Sequence, residues 1–94
     1  MKLPKYLIAF GQKIKVEAVP LDARICGLYH SEGIIQINTM IPKDWVPQVL
    51  LHEFFHACFT RCSLDQRTTL DLEELIVDLL SKALIENFDI KIKK

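Results

Sequence analysis

The chain has 94 residues, half of them apolar, and 12 Lys and Arg stand against 12 Asp and Glu. That is enough chain for one modest core over residues 1–94 and too little for a multidomain enzyme, while a formal charge of zero gives no field to hold nucleic acid or an acidic membrane surface. No apolar stretch approaches bilayer length, and Met1-Lys2-Leu3-Pro4-Lys5-Tyr6 leads to no small-residue cleavage site, so a cytoplasmic protein without nucleic acid or membrane partners is expected.

Short runs of β-branched and aromatic residues fill the first forty positions. Tyr6 to Phe10 is one run, and Lys13-Ile14-Lys15-Val16-Glu17-Ala18-Val19 alternates polar and apolar as a half-buried strand does, until Pro20 and Asp22 end it. Next come Ile25-Cys26-Gly27-Leu28-Tyr29-His30 and Ile34-Ile35-Gln36-Ile37-Asn38, joined by Ser31-Glu32-Gly33 with the length and composition of a hairpin turn. Asp44 is placed to cap a helix that tolerates Pro47 in its first turn and runs to about Arg61. A second helix is expected from near Thr68, with Asp71 in a capping-box position, to about Phe88. Its Leu72, Leu75, Ile76, Leu79, Leu80 and Ala83 form one apolar stripe. The basic tail Lys91-Ile92-Lys93-Lys94 reads as a frayed end or a short edge strand. Cys26, Cys58 and Cys62 are odd in number and irregular in spacing, which suits reduced, inert thiols.

The first helix carries the chemistry. His52-Glu53-Phe54-Phe55-His56 is an HExxH pattern, in which two imidazoles one turn apart reach the same Zn²⁺ from one helix face. Glu53, beside the first histidine, then projects toward a water in the open coordination position and acts as general base, with peptide-bond hydrolysis as the natural reaction. Val49, Leu50, Leu51, Phe54, Phe55, Ala57 and Phe59 surround these polar groups, and ionisable groups in apolar surroundings need a partner. A core in which the histidines and acids pair without metal is the competing explanation.

An open metal site needs a third protein ligand, and the second helix offers Asp71, Glu73, Glu74 and Asp78. Glu74 and Asp78 are one turn apart, opposite the Leu72/Leu75/Ile76/Leu79 stripe and flanked by Val77, Ile85 and Phe88. Glu74 is therefore the expected ligand, and Asp78 the acceptor of a ligating histidine's N–H. Glu73 points about 100° away and, with Asp71, suits an ordinary acidic helix start.

Leu51-His52-Glu53-Phe54-Phe55-His56-Ala57, followed by Glu73-Glu74-Leu75-Ile76-Val77-Asp78, resembles a gluzincin-type zinc metallopeptidase, nearest the small phage-type members close to the ImmA/IrrE group. The likeness covers roughly residues 27 to 88 and includes Gly33-Ile34-Ile35-Gln36-Ile37-Asn38 ahead of the active helix. It implies a glutamate on the later helix as third ligand, matched by Glu74, and an acid four residues on supporting a histidine, matched by Asp78. Val77-Asp78 stands where ImmA/IrrE relatives carry Ala-Asn, and no stretch here corresponds to the DNA-binding region to which many are fused.

His30 and Tyr29, beside the hairpin turn, are candidate hydrogen-bond donors to an oxyanion, and Trp45 a candidate helix-start anchor. The fold expected is α+β: a small, mainly antiparallel sheet packed on the HExxH helix and on a second helix that brings the third ligand. A free sheet edge would pair with an extended protein or peptide substrate. The competing role is a zinc-stabilised module that binds or assembles without hydrolysis, and the sequence leaves the oligomeric state open.

Overall fold

A computed structural model describes residues 3–88. The tail Lys91 to Lys94 lies outside the described residues. The class is α+β: four strands, β1 (Tyr6–Ala9), β2 (Gln12–Val19), β3 (Gly27–His30) and β4 (Ile34–Asn38), precede two helices, α1 (Val46–Arg61) and α2 (Leu70–Asn87). No helix among the described residues is long and apolar enough to cross a membrane.

The sheet is mixed, in the order β1-β2-β4-β3. β1 and β2 form a hairpin across Phe10 and Gly11, whose φ angles of 52° and 79° are the positive pair that a tight two-residue turn requires. β3 and β4 pair antiparallel through Ser31-Glu32-Gly33, as the composition of that turn predicts. β2 and β4 pair in parallel, Val16 opposite Ile35 and Ala18 opposite Ile37. Strict alternation puts Ile14, Val16, Ile35 and Ile37 on one face, where Leu50 and Ala57 of α1 complete the core. The outer face carries Lys15, Glu17 and Gln36, with Gln36 Nε2 donating to Glu17 Oε1 at 3.1 Å.

α1 is the middle layer, with the sheet on one side and α2 on the other. Its start differs from the sequence expectation: Asp44 falls in a short 3-10 turn (Lys43–Trp45), Trp45 occupies the cap position without a side-chain bond, and Pro47 sits in the first turn. At α2 the cap is Thr69, one residue later than expected, and its hydroxyl accepts from Leu72 N at 3.2 Å. Thr68 Oγ1 instead donates to Leu64 O in the connection.

The apolar stripe of α2 stays largely outside the core. Glu73, Val77 and Ser81, spaced four apart, are the buried positions facing α1, while Leu72, Leu75, Leu79 and Leu80 of the apolar stripe are exposed. Val77 is the one fully buried apolar side chain of α2, and Ile76, Leu84 and Ile85 are half-buried, so the seam combines apolar packing with the polar pair of Glu73.

Candidate metal centre

α1 presents His52 and His56 one turn apart toward α2, with ring centroids 5.0 Å apart and planes inclined at 65°. Glu74 meets both from α2. Its Oε1 lies 2.9 Å from His56 Nε2 and its Oε2 lies 3.7 Å from His52 Nε2. His52, His56 and Glu74 each offer one ligand atom within 4.8 Å of the others, so the three form a group that could hold a metal ion. Two imidazole nitrogens and one carboxylate also match the donor chemistry of an open zinc site.

The partner that orients His56 is Glu73. His56 Nδ1 and Glu73 Oε2 are 2.6 Å apart and both side chains are almost wholly enclosed, which leaves Nε2 turned toward Glu74. This corrects the expectation that Glu73 points away from the site: α2 turns its Glu73/Val77/Ser81 ladder inward, carrying Glu73 into the seam and leaving Glu74 at its edge. The spacing held the signal. One acid and two small or β-branched residues at i, i+4 and i+8 suit a close helix approach better than a row of leucines does.

Asp78 comes within 3.9 Å of His52 Nδ1, ion-pair range but too long for a hydrogen bond, and its other oxygen accepts from Lys82 Nζ at 2.9 Å. Burial, then the neighbouring His56, holds the His52 pKa below its usual value, against opposing pulls from Glu74 and Asp78. Neutral imidazole is the form a metal takes.

Glu53 lies on the sheet side of α1, nearly buried, at the wall of a cavity of about 380 Å³ lined by Arg24, Cys26, Gly27, Gln48, Val49 and His52 among others. Desolvation pushes its carboxyl up to about 7, with His56 lowering it and Glu74 adding to the rise. A carboxyl group at the wall of an open cavity is placed to exchange protons with whatever occupies it.

β3 forms the opposite wall, and Gly27 explains how it comes so close. A Cβ at Gly27 would stand 2.8 Å from Val49 Cγ1, 3.1 Å from Gln36 O and 3.2 Å from Glu53 Cγ. The preceding loop is tied down by Asn38, whose buried amide donates to Leu21 O, Asp22 O and Ile25 O and accepts from Leu21 N and Met40 N. Asn38 N donates to Cys26 O, so the antiparallel alternation pairs Leu28 and His30 with β4. The backbone groups of Gly27 and Tyr29 are thereby directed to the free edge of β3.

The two candidate oxyanion donors part company. Tyr29 shares the α1 face with Ile35, and its hydroxyl is buried without a hydrogen-bond partner among the described residues. His30 is one residue on, so the pleat turns it to the opposite face, where its Nε2 lies 2.8 Å from Gln36 Oε1. It is removed from the site by the two-residue period of the strand. The three cysteines are free, with Cys26 on the cavity wall.

No protein-family model, curated protein or solved structure matches this chain.

Proposed function

We propose that the protein is a zinc-dependent peptidase, with His52, His56 and Glu74 as metal ligands and Glu53 as general base. The observation that carries this reading is the convergence, from two helices, of an imidazole pair and a carboxylate next to a nearly buried glutamate on a cavity wall. A zinc ion bound there supplies a Lewis acid that polarises a carbonyl and acidifies a water. Glu53 takes the proton from the attacking water and passes it to the departing amine nitrogen as the C–N bond breaks. Glu73 holds His56 in the tautomer that keeps Nε2 free for metal. The free edge of β3 orients an extended protein or peptide substrate, with the backbone groups of Gly27 and Tyr29 available for pairing.

The test is zinc-loaded protein incubated with a mixture of unstructured peptides and read by mass spectrometry. New termini are expected from the wild type and none from Glu53→Gln at equal zinc content. Cleavage by Glu53→Gln at the wild-type rate would remove Glu53 from the mechanism.

The polar pairs between the helices favour a second reading, a zinc-stabilised binding or assembly module, because a metal held by His52, His56 and Glu74 would bridge α1 and α2 and add to their attachment. In that case chelation lowers the melting temperature and abolishes partner binding, Glu53→Gln leaves that binding intact, and no peptide is cut.

A further inference from the structure

The outward face of α2 carries a large apolar surface that none of the described residues covers. Leu75 is 55% and Leu79 58% exposed, with Leu72 and Leu80 each at 46%. At about 100° per residue, Leu72, Leu75, Leu79 and Ala83 share a sector roughly opposite Val77, the residue at the centre of the α1 contact. A contiguous apolar face of this kind on a small domain marks an interaction surface.

We infer that this face pairs with the same face of a second copy of the chain, the two α2 helices running antiparallel about a twofold axis. Charge placement selects the arrangement. Asp71 and Lys82 lie on the same edge of the leucine sector, one near each end of the helix, while the other edge offers Leu80 and Asn87 and no charge. In an antiparallel pair like edges face each other, so Asp71 of each copy comes beside Lys82 of the other. In a parallel pair that edge would meet the uncharged one. One register satisfies all of this: Leu75 opposes Leu79 of the second copy, reciprocally, and Glu86 falls beside the start of the other α2, where the helix dipole favours a carboxylate. Such self-complementarity is what a twofold interface requires. Two faces of this size remove on the order of 1,000 Å² from water, the lower limit for a specific association. Lys82 already bonds Asp78 at 2.9 Å and remains half exposed, so the second carboxylate adds to an existing pair. Glu74 stays on the α1 side of α2, so the pairing leaves the metal group open and does not depend on it.

Sedimentation velocity on the full chain over a wide concentration range tests the pairing. A reversible species with the mass of two chains is expected. Leu75→Glu with Leu79→Glu should yield a monomer with unchanged helical circular dichroism and unchanged zinc binding. Asp71→Lys and Lys82→Asp should each weaken the dimer by about fivefold or more, and the two together should restore it, as reciprocal charge pairs do. A wild type that stays monomeric throughout overturns the proposal and leaves the face to a different partner. A dimer that survives the double glutamate change overturns it as well, and failure of the combined charge swap to recover affinity overturns the antiparallel register.

Discussion

His56 Nδ1 and Glu73 Oε2 stand 2.6 Å apart in the seam between α1 and α2, each side chain about nine-tenths enclosed. A carboxylate on the far nitrogen of a ligating histidine sets its tautomer and raises its basicity. Glu73→Gln keeps an acceptor but loses the charge, and zinc affinity measured by competition with a chromophoric chelator should fall about tenfold. Glu73→Ala should fall further, up to about a hundredfold, and lose roughly 1–3 kcal/mol of stability through the stranded imidazole N–H. Unchanged affinity in both variants would mean that the contact has no part in metal binding.

Gly27 sets the distance between β3 and α1. A methyl group there presses on Val49, on the Gln36 carbonyl and on the stem of Glu53, so Gly27→Ala should lower stability by about 1–3 kcal/mol, the usual range for overpacking. The displaced Glu53 should depress peptide cleavage more than zinc affinity. A denaturant midpoint and a chelator titration on the same sample separate the two effects.

In the metal-free protein Glu53 titrates at about 7 against the ordinary glutamate value of 4.5. An acid raised on folding leaves the native chain with more bound protons than the unfolded one between those values. Its contribution is therefore present below about 4.5 and is lost as pH rises through about 7. His52, lowered by burial, acts in the opposite sense: stability falls as pH drops below 6.5. Glu53→Gln removes the first effect alone. In the presence of a chelator the variant should gain on the wild type, by about 3 kcal/mol, as the pH is raised from the acid to the alkaline side of that window. Parallel stability curves for the two proteins would contradict this assignment.

The helix-borne part of the candidate site was legible because it depends on local spacing. His52 and His56 are one turn apart wherever the helix lies, and α1 ends at Arg61 as the sequence predicts. The hairpin from Gly27 to Asn38 was equally local. What escaped depends on the third dimension. α2 has one apolar and one acidic side, and its sequence alone favours burying the leucines. The structure instead turns the Glu73/Val77/Ser81 row toward α1, so that Glu73 meets His56 inside the seam and Glu74 meets both imidazoles from its edge. That choice brought Glu73 into the site and put the leucines outside. His30 and Tyr29 were indistinguishable by proximity to the turn, and only their register against Ile34 and Ile35 separates them. The parallel pairing of β2 with β4 has no local signature at all.

The most direct test of the metal centre is the zinc content per chain, by elemental mass spectrometry, of untagged wild type, His52→Ala, Glu53→Gln and Glu74→Ala. About one zinc in the wild type and in Glu53→Gln, with loss in His52→Ala and Glu74→Ala, is the result predicted for a three-ligand site with an independent base. No zinc in the wild type after reconstitution, or equal zinc in all four proteins, would contradict it.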